Sequence, residues 1–298
     1  MSKKSIAIIG ISGSLGQPVL DAFSSATFKD QVKFPIKVIS RQKIESTDLV
    51  EYIQLDLSEE TIPQYVKELK GFNTIIELIP SNPTLFELVN KIIVQVKPDL
   101  FIPSQFGLEI DQVNTYLPKF LGHKTNQSAV VRAANVKVVE LITGFFILPG
   151  FYLYEVVQQV GINPKDNSYE QFGDLNNKIA VNHVDNIASS IASLSTYPSP
   201  NELPDKVRIA GDEISFNQII KTFEKNHNVT LTKKRELTSD EALAELKHLF
   251  ATEGPKHEKA LYYLHVVASQ GTNKGIHYST NENEIVNPGE KYWKWIKY

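Results

Sequence analysis

The chain has 298 residues, of which 42% are hydrophobic and 22% charged, and its formal net charge is −3. This composition is typical of a soluble globular protein and gives no overall attraction for nucleic acid or an anionic membrane. The sequence has no cysteine, which excludes disulfides, thiolate metal ligands and cysteine nucleophiles and favours a reducing cytoplasm as the location.

The first half of the chain alternates strand-like and helix-like segments. Short apolar runs predict six strands: SIAIIG, KFPIKVIS, EYIQLD, NTIIELI, DLFIPS and VKVVELI. Longer segments between most of them have the spacing of amphipathic helices. The alternation predicts an α/β fold, a doubly wound parallel sheet with helices on both faces, in a first domain at 1–150.

Beyond this domain the pattern loosens into a smaller region, 151–298, which is expected to bind the substrate. The segment 177–195 predicts a strand and a helix that return to the main sheet, so the two regions would intertwine. Three further helices are predicted at about 215–226, 238–250 and 256–268.

Two apolar or aromatic stretches stand out from the rest. The stretch 138–157 is interrupted by glutamate, glycine and proline, so we expect a strand running into a pocket wall and not a membrane span. The C-terminal KYWKWIKY is expected to dock on the body of the protein, with an interface as the alternative.

Glycines interrupt the first predicted strand–helix junction in the segment GISGSLG. Gly10 would permit a tight turn, Gly13 would let the backbone approach a pyrophosphate, and Gly16 would let the helix pack on the strand. The turn therefore predicts a dinucleotide site of the Rossmann type, with a glycine-rich turn that binds nothing as the alternative. The residues between the glycines are also expected to contribute: Ser12, Ser14 and Leu15.

The second predicted strand ends in VISRQK, with Arg41 and Lys43 and no acid. In dinucleotide folds an acid at this point binds the ribose 2′-hydroxyl of NAD, whereas arginine accommodates the 2′-phosphate of NADP. The two cations favour NADP(H), because a planar guanidinium matches phosphate, and a solvated turn is the alternative. Asp56, at the end of the third predicted strand, is expected to cap the loop beside the adenine.

The segment FIPSQFGLEIDQV, with GISGSLG before it and Lys124 after it, resembles the isoflavone reductase-like and NmrA-like branch of the atypical short-chain dehydrogenases. The resemblance continues through HVDNIA and KVRIAGDEISFNQIIKTFEK and fades after about residue 240. It implies that the glycines hold the pyrophosphate, that Arg41 holds the 2′-phosphate, and that Lys124 is the active-site lysine. The nicotinamide end would be lined by Ser104, Gln105 and Phe106, although the family usually has glutamate where this chain has Gln105.

A reductase needs a proton donor or a cation where negative charge develops during hydride transfer. None of the twelve tyrosines is followed by lysine at the fourth position, so the TyrxxxLys pair of the commoner short-chain dehydrogenases is absent. Lys124 is the remaining candidate: it would stabilise an oxyanion or enolate, or exchange a proton if burial lowers its pKa. A solvent-facing helix lysine is the alternative.

Aromatic residues follow the sixth predicted strand in TGFFILPGFYLY. Such residues over the crevice at the carboxyl ends of the strands suit a flat apolar or aromatic substrate. The candidates for substrate contact are Phe145, Phe146, Phe151, Tyr152 and His183. Core packing is the alternative for part of the aromatics, and helix capping or core packing for the histidine. The seven histidines show no HxxxH spacing, so no metal site is predicted.

Two functions compete at this stage. One is an NADPH-dependent reductase of a small aromatic or conjugated carbonyl-type compound. The other is a regulator that binds NADP(H) and reports redox state to a protein partner, as NmrA-like proteins do. A fold that retains the nucleotide only for stability is a third possibility. A homodimer stays open, and neither nucleic acid nor a membrane is an expected partner.

Overall fold

The computed structural model describes residues 2–148 and 160–298. Its strands are β1 (Lys4–Ile9), β2 (Val32–Ser40), β3 (Val50–Gln54), β4 (Thr74–Glu77), β5 (Leu100–Ile102), β6 (Glu140–Ile142), β7 (Phe145–Ile147), β8 (Ile162–Asn163), β9 (Ser168–Phe172), β10 (Lys178–His183), β11 (Lys206–Arg208), β12 (Asp212–Ser215) and β13 (Thr232–Leu237). Its helices are α1 (Gly16–Ser24), α2 (Ile62–Leu69), α3 (Pro83–Val96), α4 (Ile110–Asn114), α5 (Gly122–Ala133), α6 (Val184–Ser195), α7 (Phe216–His227), α8 (Ser239–Glu253), α9 (Ala260–Ala268) and α10 (Asn283–Val286).

The main sheet has five strands in the order β3-β2-β1-β4-β5, and every neighbouring pair is parallel. Alternate side chains of β1 point to opposite faces, as the pleat of a strand requires. Ile6 and Ile8 pack with α1 and α6, whereas Ala7 and Ile9 pack with α2, α3 and α5. The predicted doubly wound α/β fold is confirmed, and the strand order reverses between β1 and β4.

The sixth predicted strand exists as β6, but it is not a full member of the main sheet. A bridge joins Phe101 of β5 to Val138, and the ladder goes no further because β5 is followed by Pro103, which has no N–H to donate. β6 instead pairs in parallel with β11.

The segment 177–195, expected to return to the main sheet, forms α6 and β10, and β10 pairs outside that sheet. α6 packs beside α1 on the main sheet. β10 lies in a separate sheet of order β12-β10-β7, because residues 137–139 already occupy the free side of β5. The predicted domain boundary near residue 150 lies outside the described residues.

The three later helices are confirmed with small changes at their ends. α7 and α8 each begin at a capping box, made by Ser215 with Gln218 and by Thr238 with Glu241. α9 begins at Ala260, a few residues later than predicted, because a 3₁₀ turn at 257–259 precedes it.

The C-terminal segment docks on the body of the protein, as expected. The Asn186 side chain exchanges two hydrogen bonds with the backbone of Ile296, and Trp293 and Trp295 pack against the core beneath α1 and α6. Among residues 2–148 and 160–298, no helix combines the length and the apolar character required to cross a membrane.

Candidate active site

The turn after β1, residues 10–16 and called the glycine turn below, begins with a glycine whose backbone conformation and close contacts disfavour any side chain. Gly10 has a φ of +85°, and a Cβ there would lie 2.8 Å from the Leu78 carbonyl oxygen. Its N–H donates to the Ile39 carbonyl at 2.9 Å, which fixes the turn between β2 and β4. The tight turn predicted for Gly10 is present.

The other two glycines differ in the space around them. A Cβ on Gly16 would lie 1.8 Å from the Ile11 carbonyl oxygen, so the start of α1 lies too close to the backbone of the turn to leave room for a side chain. A Cβ on Gly13 would have no other residue within 4 Å, and this glycine lies exposed in front of the start of α1. Leu15 is buried in the core, Ser12 is exposed and Ser14 is half-buried. The turn thus leaves an open backbone surface at the position expected to approach a pyrophosphate.

A cleft of about 480 Å³ lies beside this turn, at the carboxyl ends of the central strands. The predicted residues Gly10, Ser12, Arg41 and Asp56 all line it. Lys43 is exposed and is not among the described residues that line the cleft. The remaining lining residues are Ile9, Ile11, Ile39, Ser40, Leu57, Tyr65, Leu78, Ile79, Pro80, Asn82 and Leu85.

Arg41 is exposed at the rim of the cleft. Its carbonyl oxygen accepts a hydrogen bond from Gln54 Nε2 at 3.3 Å, which holds the backbone of this loop against the end of β3. Within the described residues its guanidinium has no acidic partner within ion-pair distance, so it remains available for an anionic ligand.

Sequence reasoning missed Tyr65, which reaches the cleft from α2. Its hydroxyl donates to the Leu55 carbonyl at 3.2 Å, and burial raises its pKa to about 12. The amphipathic spacing of α2 predicts that this side chain faces the sheet, but it does not predict that the hydroxyl ends beside a cleft.

Lys124 is fixed at the start of α5. Its Nζ donates to the Ser104 carbonyl at 2.9 Å. Gln105 Nε2 donates in turn to the Lys124 carbonyl at 2.5 Å and to Ser128 Oγ at 2.7 Å. The predicted residues Ser104, Gln105 and Lys124 are therefore joined directly, and the Gln105 amide clamps the loop after β5 to the helix.

A buried carboxyl lies beneath this contact and was not predicted. Glu77, the last residue of β4, has no exposed surface. Its two oxygens accept from the Ser104 N–H and from Gln127 Nε2, both at 2.9 Å. An acid that ends an otherwise apolar strand, in TIIE, is the signal that would have found it. Glu77, Ser104, Gln105, Lys124 and Gln127 are called the lysine cluster below.

Burial shifts both ionisable groups of this cluster towards neutrality. It raises the pKa of Glu77 to about 7, although the hydrogen bonds from Ser104 and Gln127 act in the opposite direction. It lowers the pKa of Lys124 to about 8, and the charge of Glu77 opposes that shift. Near neutral pH Lys124 is therefore mainly a cation that releases its proton more readily than an ordinary lysine.

The lysine cluster adjoins the cleft through Ile79. Ser104 Oγ donates to the Ile79 carbonyl at 2.8 Å, and Ile79 itself lines the cleft. A second link joins Ser81 to His123 Nε2 at 2.9 Å. Burial, followed by the charge of Lys124, lowers the pKa of His123. The proline-rich segment after β4 thus connects the glycine turn to α5.

The predicted substrate wall follows the same loop. The Gly107 carbonyl accepts hydrogen bonds from the N–H groups of Thr143 and Gly144, at 3.1 and 3.0 Å, directly before β7. Phe145 is buried in the core of the second region, whereas Phe106 and Phe146 are half-buried against the α1 face of the main sheet.

His183, the other described candidate for substrate contact, stands at the start of α6. It is half-buried, and its Nδ1 accepts from the Asp185 N–H at 3.3 Å, which makes it the N-cap of that helix. Phe151 and Tyr152 lie outside the described residues.

Comparison with known proteins gives matches across the chain. A family model described as the NmrA-like family matches residues 2–280. A curated relative, phenylcoumaran benzylic ether reductase POP1 of Populus trichocarpa, is 26% identical over 172 residues, or 56% of this chain. The match spans 55% of that relative, about half its length.

Similar solved structures share the fold along most of the chain. Isoflavone reductase is 21% identical with a TM-score of 0.67, covering 89% of this chain and 87% of that one. AtPrR2 with NADP⁺ and (+)pinoresinol is 16% identical with a TM-score of 0.69, covering 99% and 97%. Leucoanthocyanidin reductase with NADPH from Vitis vinifera is 17% identical with a TM-score of 0.64, covering 90% and 87%.

Proposed function

The chain belongs to the NmrA-like family, and we propose that it is an NADP(H)-dependent oxidoreductase that reduces a small aromatic or conjugated carbonyl-type compound. The observation that carries the proposal is a cleft lined by the glycine turn and Arg41, with the lysine cluster bonded to its wall through Ile79. It is supported by the curated relative, which is a reductase, and by similar structures that hold NADP⁺ or NADPH.

The residues present fit such a cofactor. Gly10 and Gly16 have no room for a side chain. Gly13 leaves its backbone accessible in front of a helix N-terminus, where a pyrophosphate is favoured. Arg41 at the end of β2 would hold the 2′-phosphate, with Lys43 nearby in the same loop. The cleft, at about 480 Å³, has the size of a small-molecule site.

When bound, the nicotinamide would supply a hydride to the substrate. Lys124 would stabilise the negative charge that develops on the substrate, because its ammonium is held by the Ser104 carbonyl and keeps its remaining N–H donors. With a pKa of about 8 it would also act as a general acid close to neutral pH.

The aromatic wall would hold the substrate by apolar contact. Phe106 and Phe146 pack against the same core, and the backbone just before β7 donates hydrogen bonds to the Gly107 carbonyl. We propose that Phe151, Tyr152 and His183 also contact the substrate, whereas Phe145 is buried in the other core.

A fluorescence titration with NADPH, NADP⁺ and NADH tests the cofactor. We expect both NADP forms to bind more tightly than NADH, and Arg41→Ala to weaken NADPH binding about 10- to 100-fold, as loss of a charged hydrogen bond does. Lys97 is an exposed cation at the far end of α3, so Lys97→Ala serves as the control and should leave NADPH affinity unchanged. If none of the three nucleotides binds, the glycine turn has only a structural role and the proposal fails.

Turnover with a panel of aromatic carbonyl compounds tests the reaction. Lys124→Ala should lower the rate about 10²- to 10⁴-fold while NADPH affinity is retained. Lys91→Ala, a surface lysine paired with Glu59, is the matched control. If the protein binds NADPH and NADP⁺ with different affinities but turns over none of the compounds, the result would favour a redox sensor over a reductase.

A further inference from the structure

Glu77 is a carboxyl group in a position where a charge is costly. It has no exposed surface, and its hydrogen-bond partners are neutral: a backbone N–H and an amide. A buried carboxylate with neutral partners alone is unfavourable unless a cation lies near it. Within the described chain the cation that acts on it is Lys124.

Ser104 joins the two groups. Its N–H donates to Glu77 and its carbonyl accepts from the Lys124 ammonium, each at 2.9 Å. Ser104 therefore contacts the carboxyl with its N–H and the ammonium with its carbonyl. A substitution at position 77 would affect Lys124 in two ways: through the electrostatic effect of the lost charge and through the position of this loop.

Gln127 allows the carboxyl to be held in either protonation state. It is fully buried, and its Nε2 donates to Glu77 while its Oε1 has no partner among the described residues. Turning the amide would present Oε1 as an acceptor to a protonated Glu77. The site accommodates both forms of the carboxyl without leaving it unbonded.

We propose that Glu77 is a positioning residue that holds Lys124 as a cation next to the cleft by acting on it through Ser104. The role of Lys124 in turnover rests on the proposed function, but its charge state does not. Among the described residues, the other titratable group that acts on Lys124 is His123, on the same helix and bonded to Ser81 of the segment after β4. Ser104, from the loop after β5, presents only its backbone and hydroxyl.

The test is the pH dependence of Lys124 acylation in the cofactor-free protein, quantified by peptide mass spectrometry. Removing the neighbouring negative charge should lower the pKa of Lys124, so Glu77→Gln should shift its labelling curve down by about one pH unit. At pH 7 that shift corresponds to about a fivefold rise in the reactive fraction. Glu77→Asp, which keeps the charge, should restore most of the wild-type curve.

Glu140→Gln provides the matched control. Glu140 is another buried acid on a strand, paired at 2.9 Å with Arg132 at the opposite end of α5 from Lys124, and its loss should leave the Lys124 curve in place. An unchanged curve in a folded Glu77→Gln protein would overturn the proposal. If that variant does not fold, a downward shift of about one pH unit in Glu77→Asp, which keeps the charge, would overturn it equally.

Turnover separates this proposal from the proposed function. If the protein is a reductase, the basic limb of kcat/KM should move to lower pH in Glu77→Gln by the same amount as the labelling curve. If Lys124→Ala keeps full turnover, the role of Lys124 in the reaction fails, yet the labelling curves still decide whether Glu77 controls its charge.

Discussion

The glycine turn lines the cleft and the lysine cluster adjoins it, but the two regions depend on different parts of their residues. The turn consists of backbone and open space, and its polar side chains, such as Ser12, are exposed or half-buried. The lysine cluster consists of buried and half-buried side chains that are joined to one another by hydrogen bonds, several of them through Ser104. The turn should therefore be sensitive to added volume and the cluster to changes of charge and hydrogen bonding.

The largest effect is expected from volume in the turn. Gly16→Ala places a Cβ 1.8 Å from the Ile11 carbonyl, so the start of α1 must move, at a cost of more than about 3 kcal/mol and with loss of NADPH binding. Gly13→Ala is the matched control, since nothing lies near its added methyl group, and it should keep stability within about 1 kcal/mol. Urea unfolding of both variants measures the difference. Equal losses of stability in the two variants would show that steric contact at Gly16 is not the cause.

The next effect concerns charge in the lysine cluster. Because burial raises the pKa of Glu77 from 4.5 to about 7, folding is favoured by this group at low pH, and that advantage is lost as pH rises towards 7. The free energy of unfolding of the wild type should fall by about 3 kcal/mol relative to Glu77→Gln between pH 4.5 and 7.5. Urea titrations at several pH values check the sign. A constant difference would mean that Glu77 ionises as freely as an exposed acid.

The same contrast explains how far the sequence could be interpreted. The turn was predictable because Gly10 and Gly16 are needed for local reasons, a positive φ and a close contact within a few residues. Glu77 was not, because its importance arises only when β4, the loop after β5 and α5 come together. A lone acid in an apolar run indicates a buried carboxyl, as in TIIE, but it does not indicate which groups will surround that carboxyl.

The strand pairings show the same limit. The local sequence pattern predicts that β6 and β10 exist, but it does not predict their partners. The partners depend on the proline after β5 and on the segment that already pairs with the edge of β5. The substrate wall divides likewise: Phe145 and Phe146 are adjacent in sequence and pack into different cores. Alternation along a strand predicts opposite faces, but not which face meets the ligand.

A smaller effect is expected from the amide that clamps the cluster. Gln105→Leu leaves the Lys124 carbonyl and the Ser128 hydroxyl without their buried donor, at a cost of about 2 kcal/mol. NADPH affinity should survive, because the turn is untouched. Gln95→Leu removes an exposed hydrogen bond from a side-chain amide to a helix carbonyl, and it should cost less than about 0.5 kcal/mol. Loss of NADPH binding in Gln105→Leu would show that the cluster and the turn act as one unit.

The smallest effect lies on the rim that connects the two regions. Ser81→Ala removes the exposed hydrogen bond to His123, which should cost less than about 1 kcal/mol because water replaces the partner. Its neighbour Asn82 caps α3 by accepting from the Leu85 N–H at 3.2 Å, so Asn82→Ala should cost about 1 kcal/mol. Thermal unfolding ranks the two. If Ser81→Ala instead moves the labelling curve of Lys124, the rim transmits changes between the glycine turn and the lysine cluster, and the two regions cannot be treated separately.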